Sequence, residues 1–157
     1  MALQIGDKIP EDLGTDQNGH PVKASSYTGK KLALYFYPKD QTPGCTAQAC
    51  SLRDGYNDLL NAGYAILGVS VDSAKSHLKF IDKYGLPFPL IADTDKKIVE
   101  AFGVWQEKSM MGKKFMGTVR TTFLIDEQGI ITHIIAGKSV NTGSHAEQIL
   151  GMGKDYE

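Results

Sequence analysis

The chain is poor in the features that would point to an extracellular, membrane or nucleic-acid-binding protein. It has two cysteines in 157 residues, too few for a disulfide framework, and a chain of this length buries enough core to fold without one. It has no surplus of either charge: 17 Lys and Arg stand against 18 Asp and Glu, a formal net charge of −1. A sequence-blind grip on nucleic acid or on an anionic membrane needs excess positive charge, so neither partner is expected. No apolar run approaches the roughly 18 residues of a membrane span. The first ten residues, Met1 to Pro10, have no basic head followed by an apolar stretch and do not read as a signal peptide. A reducing, cytoplasmic setting is therefore expected. There is no internal repeat, low-complexity tract or linker, and one domain over 1–157 is expected.

Hydrophobic residues are 41% and charged residues 22% of the chain, an ordinary globular mixture. Leu32 to Tyr37 is an unbroken apolar run stopped by Pro38, which predicts a strand buried on both faces. Residues 39–44 form a loop. From Pro43, Ala47, Cys50, Tyr56, Leu59 and Leu60 recur at roughly helical spacing, which predicts one helix ending at Ala62-Gly63. Strands follow over 64–71, 90–92, 119–125 and 130–135, with helices over 73–84, 96–102 and from His145, and a turn at Glu127-Gln128-Gly129. Alternating strands and helices followed by a hairpin and a helix predict an α/β sandwich with a mixed sheet flanked by helices.

The two cysteines, Cys45 and Cys50, are five residues apart. A disulfide at that spacing closes a very small loop and constrains an unfolded chain weakly, so a structural staple is the poorer reading. Thr42 suits a helix N-cap and Pro43 the first helical position. Cys45 then falls at the third helical residue, where free backbone N–H groups and the positive helix end favour a thiolate. The bland reading is a small buried cysteine packed against the sheet. On a regular helix the two Cα atoms would lie about 8.6 Å apart, whereas a disulfide needs less than about 7 Å. The sulfurs either never pair, or the first turns unwind when they do. Gly55, just beyond, either eases that opening or serves packing. Arg120 alternates with Val119 and Thr121. Its guanidinium faces water if the strand is an edge, and needs an anionic partner if the strand is central.

The segment Pro38-Lys-Asp-Gln-Thr42-Pro43-Gly44-Cys45 resembles the peroxiredoxin signature, in which a proline, a Thr or Ser and a Cys fall at the positions of Pro38, Thr42 and Cys45. The longer string Tyr35 to Asp54, together with Phe102–Lys108, Met111–Gly117 and Arg120–Asp126, is similar to the bacterioferritin comigratory protein, or peroxiredoxin Q, subgroup. The likeness covers nearly the whole chain. One local departure is Pro10-Glu-Asp-Leu-Gly14, which lacks the aromatic residue the family carries there and leaves the packing of the N-terminal strand open. The resemblance implies a thioredoxin-like fold and a thiol peroxidase of the atypical two-cysteine kind acting on hydroperoxides. It implies Cys45 as the peroxidatic cysteine, Cys50 as the resolving one and Arg120 as the active-site arginine; Thr42 is expected to act with Arg120 and the backbone N–H groups near Cys45 as a catalytic residue that stabilises the developing charge, and Pro38, Pro43 and Gly44 to support the loop. Thioredoxin or glutaredoxin is the implied reductant, the chain is a monomer, and no cofactor or metal is called for.

Ionisation alone would be a modest catalyst. A free cysteine with a pKa of ~8.5 is about 3% thiolate at pH 7, so complete ionisation gains roughly thirtyfold, or about 2 kcal/mol. The rest of a peroxidase's advantage must come from aligning the peroxide and stabilising charge as the O–O bond lengthens. Three other readings are weaker. A thioredoxin-type reductase normally carries C-x-x-C, which is absent. A metal module would need some of His20, His77, His133 and His145 beside the cysteines, and none lies at zinc-finger spacing. A non-catalytic relic domain would have no use for Thr42, Cys45, Cys50 and Arg120 together.

Overall fold

In the computed structural model, which describes residues 2–154, the apolar run becomes strand β3 (Lys31–Phe36). It is the middle of a five-stranded sheet. β3 pairs in parallel with β4 (Tyr64–Ser70), and β4 with β5 (Leu90–Ala92). On its other edge β3 runs antiparallel to β8 (Thr121–Ile125), which pairs with β9 (Ile131–Ala136). The order is β5-β4-β3-β8-β9. Because side chains alternate along a strand, β3 feeds two cores. Ala33, Tyr35 and, just past its end, Tyr37 pack on helices α1 (Pro43–Asp54), α2 (Tyr56–Asn61), α3 (Ala74–Tyr84) and α5 (His145–Lys154). Leu32, Leu34 and Phe36 pack on the opposite face against Leu13, Ile98, Val99 and Phe102. The last three belong to or follow α4 (Lys97–Ala101). This is the predicted mixed-sheet sandwich.

The N-terminal hairpin pairs β1 (Asp12–Thr15) with β2 (Pro21–Lys23). Leu13 of β1 is fully buried, so the strand is anchored without the aromatic residue the family carries there. Helix α3 begins as predicted. Ser73 is its N-cap, accepting from Ser76 N–H at 3.1 Å, and Gly85 ends it in the left-handed conformation that glycine tolerates.

Two parts differ from expectation. The helix predicted to run unbroken to residue 61 is split at Gly55, which caps α1 and leads into α2. A Cβ at Gly55 would lie 2.5 Å from the Cβ of Ala146. Glycine is there because α1 and α5 cross in contact, which decides between the two readings in favour of packing. The second difference is a hairpin absent from the prediction, β6 (Trp105–Met110) with β7 (Lys113–Thr118). Its residues are mostly exposed and carry no continuous apolar stripe. Its turn, Met111-Gly112, has positive φ at both residues (53° and 79°), a geometry usually signalled by Asn-Gly.

The α1–α5 contact gives a direct stability test. Gly55→Ala should cost about 1–3 kcal/mol through overpacking. Chemical denaturation of the variant checks this, and an unchanged midpoint would show that the crossing can relax.

Candidate active site

Backbone and side chains together place Cys45 at the start of α1. Thr42 has the extended N-cap backbone, φ −83° and ψ 155°, with Pro43 at the first helical position. The first helical bond runs from Thr46 N–H to the Thr42 carbonyl at 2.8 Å. The N–H groups of Gly44 and Cys45 thus have no acceptor inside the helix and supply the positive end of its dipole. The Thr42 hydroxyl departs from expectation. It makes no cap and instead donates to the Lys39 carbonyl at 2.8 Å. Its hydrogen is committed to the turn, and its lone pairs remain as acceptors.

Arg120 immediately precedes β8, an interior strand. Of the two readings left open by the sequence, the geometry is the one with a partner. Nη2 lies 3.4 Å from Cys45 Sγ, and Nη1 donates to Gln48 Oε1 at 2.6 Å. A permanently charged, planar guanidinium is thereby fixed against the sulfur of Cys45, a residue only 1% exposed. Gly44 permits this approach: a Cβ there would stand 3.1 Å from Nη2. Pro38 closes β3 and Pro43 opens α1, so the two prolines bracket the turn that delivers Thr42 to the site. Cys50 lies further along α1, half-buried, and both cysteines are free thiols on an intact helix.

Two residues join this group without having been singled out in the sequence. Gln48 is one turn beyond Cys45 and fully buried, and among the described residues its Nε2 has no hydrogen-bond partner. The i, i+3 relation to Cys45 was the available signal. Lys108 arrives on the unpredicted hairpin and donates to the Thr118 carbonyl at 2.8 Å. Burial lowers its pKa, the Arg120 charge adds to that, and Cys45 opposes it. In the same core cluster as Cys45, Tyr35 is buried, its hydroxyl has no hydrogen-bond partner among the described residues, and its ring stacks on Tyr37 with centroids 5.4 Å apart. Burial first, and then Cys45, push the Tyr35 phenol well above its usual range, so it stays neutral.

The histidines are dispersed. His20 precedes β2, His77 is in α3, His133 in β9 and His145 at the start of α5. Among the described residues no group of three or more His, Cys, Asp or Glu side chains could hold a metal ion, and no helix is long and apolar enough to cross a membrane.

His145 is buried between Thr122 Oγ1, 2.8 Å from Nε2, and Gln148 Oε1, 2.9 Å from Nδ1. Nδ1–H donates to the amide oxygen, and Nε2 accepts from the hydroxyl. The ring is neutral in this arrangement.

The AhpC/TSA family profile matches residues 5–134. Peroxiredoxin Bcp of Bacillus subtilis is 43% identical, covering 99% of this chain and 98% of its own. Peroxiredoxin Bcp of Escherichia coli is 41% identical over 98% of this chain and 97% of its own. Among solved structures, a cysteine-to-serine variant of Xylella fastidiosa PrxQ superposes with a TM-score of 0.89 at 33% identity, covering 99% and 98% of the two chains. A Xanthomonas campestris bacterioferritin comigratory protein, described for its alkyl peroxide reduction activity, gives 0.84 at 34% identity over 96% and 99%. These neighbours share the sandwich described above, the thioredoxin-like architecture that the resemblance implies.

The environment of His145 yields a pH prediction. Burial first, with the Arg120 charge, lowers its pKa, against the opposing bond to Gln148. The unfolded chain then binds the extra proton first. Stability should hold above an unfolded pKa near ~6.5 and fall as the pH drops below it. Thermal melts between pH 7.5 and 5 check this. His145→Gln should flatten that slope, and an equally steep slope in the variant would reject the assignment.

Proposed function

We propose that this chain, which belongs to the AhpC/TSA family and is a peroxiredoxin, a thiol-dependent peroxidase, reduces hydrogen peroxide and organic hydroperoxides at Cys45 and closes its cycle through a disulfide with Cys50. The observation that carries this reading is the Arg120 guanidinium held 3.4 Å from Cys45 Sγ at the open end of a helix. Alkyl peroxides are included because a structural relative reduces them.

In the first step the Cys45 thiolate attacks one peroxide oxygen. The S–O bond forms as the O–O bond breaks, and the electron pair leaves on the second oxygen, which takes a proton to become water or an alcohol. Sulfur is oxidised to a sulfenic acid and the peroxide is reduced. Negative charge spreads from sulfur over both oxygens in this step. Arg120 and the free N–H groups of Gly44 and Cys45 face that charge. Thr42, its hydrogen tied to Lys39, is left to accept the O–H of the incoming peroxide and so orient it.

In the second step the Cys50 sulfur attacks the sulfenic sulfur. The S–S bond forms, the S–O bond breaks, and hydroxide leaves as water after taking a proton. The helix spacing of about 8.6 Å between the two Cα atoms exceeds what a disulfide spans, so the first turns of α1 open for this step. A dithiol such as thioredoxin, or alternatively glutaredoxin, then returns both thiols by exchange. The same reading makes the chain a monomeric, single-domain cytoplasmic enzyme that needs no cofactor.

A coupled assay following peroxide-dependent NADPH oxidation through thioredoxin reductase and thioredoxin tests the roles. Cys45→Ser should abolish turnover. Cys50→Ser should abolish thioredoxin-linked turnover yet still accumulate a trappable sulfenic acid at residue 45. Turnover surviving in Cys45→Ser would reject the assignment of the reacting sulfur.

A further inference from the structure

A buried acid–base cluster lies five residues before Cys45, and the steps above do not use it. Asp40 sits in the turn between β3 and α1 with its side chain 2% exposed, and His77 of α3 faces it fully buried. His77 Nδ1 is 2.7 Å from Asp40 Oδ2, and Nε2 is 2.8 Å from the Ile91 carbonyl on β5. A carbonyl only accepts, so Nε2 carries a proton, and Nδ1 and Oδ2 share a further one. Tyr37, at the end of β3, donates to Asp40 Oδ1 at 2.5 Å, and Ser76 donates to Oδ2 at 2.7 Å. Burial above all, and then Tyr35 and Asp40, push the Tyr37 phenol well above its usual range, so this donor persists. The backbone is held as well: Asp40 N–H donates to Asp72 Oδ2 at 2.9 Å, and that oxygen also takes the Ser70 hydroxyl at 2.7 Å. One turn residue is thus tied to β3, α3 and the end of β4, and through His77 to β5.

The other side of the reacting segment is also fixed. Ser51 Oγ accepts from Ala146 N–H at 3.2 Å, and Gly55 lies in contact with Ala146. Between these two anchors lie both cysteines. Gln41, adjacent to the upstream anchor, has φ +61°, a left-handed turn that a non-glycine residue adopts at a cost.

The geometry points to Asp40 and His77 as positioning residues. They form a clamp that fixes the upstream limit of the segment of α1 that opens for disulfide formation, and thereby sets how fast Cys50 captures the sulfenic acid. The inference rests on the Cys45–Cys50 pairing proposed above. With the clamp intact, opening is confined to residues 42–50. With it gone, the turn from Pro38 onward can move too, and more chain is free to bring the sulfurs together.

Removing only one partner would strand a buried polar group, so the test uses Asp40→Ala with His77→Leu, which replaces both. The proteins are treated with increasing hydrogen peroxide, and intact mass gives the ratio of disulfide to sulfinic acid on Cys45. In the double variant, the peroxide concentration at which the two products are equal should rise by at least about fivefold, as faster capture leaves less sulfenic acid to overoxidise. A folded double variant with the wild-type ratio overturns the clamp. A wild-type protein that forms no Cys45–Cys50 disulfide overturns the pairing beneath it, which separates the two failures. Hydrogen exchange on the unmodified chain needs no variant. In the oxidised form, amides 46–49 should lose protection while the Asp40 amide keeps it. Equal loss at Asp40 overturns the proposal.

Discussion

The contact on which the site depends is the Arg120 guanidinium shared between Cys45 Sγ and Gln48 Oε1. Its two ends are 75 residues apart in sequence, and they meet only because the sheet places β8 beside β3. β3 ends in the turn that starts α1, and β8 begins just after the arginine. The strand pairing therefore sets the position of both charge and sulfur. Gly44 lets the guanidinium come close, and Gln48 holds its second nitrogen. A cation fixed in this way needs no reorganisation when negative charge develops, which is the source of its value in a low-dielectric pocket.

The same helix meets two opposing demands in the proposed cycle. Closed, it presents Cys45 to the peroxide with Arg120 and Gln48 in register. Open, it lets Cys50 reach. Features of α1 match a helix that is held rather than merely stable. Its reacting turns are fastened through Arg120 to the start of another strand, and among the described residues the buried Gln48 Nε2 has no hydrogen-bond partner. The core beneath, Ala49 and Leu52 against the sheet, is the restoring force.

The framework of the fold was legible wherever burial dictated pattern. The apolar run at β3 gave a strand covered on both faces, and Ser73 and Gly85 bounded α3. Thr42-Pro43 marked the start of α1, and so the position of Cys45. What stayed hidden depends on neighbours distant in sequence. Gly55 reads as a residue within a helix until Ala146 is seen against it. The β6–β7 hairpin has no apolar stripe, because it packs little, and its Met-Gly turn is an uncommon signal. Lys108 was hidden with it. Asp40 and His77 are unremarkable in sequence, one in a polar turn and one in a helix, and only folding makes them a buried pair. The periodicity around Arg120 could not tell an edge strand from an interior one, since strand order is a property of the whole sheet.

The most direct test of the central claim is stopped-flow measurement of sulfenic-acid formation on Cys45 in Arg120→Met, with hydrogen peroxide and under conditions where both proteins are folded. Loss of a preorganised donor aimed at developing charge predicts a fall in the second-order rate constant of at least about a hundredfold. That exceeds the roughly thirtyfold which complete ionisation of an ordinary thiol could supply at pH 7. A variant reacting within about threefold of wild type would contradict the account.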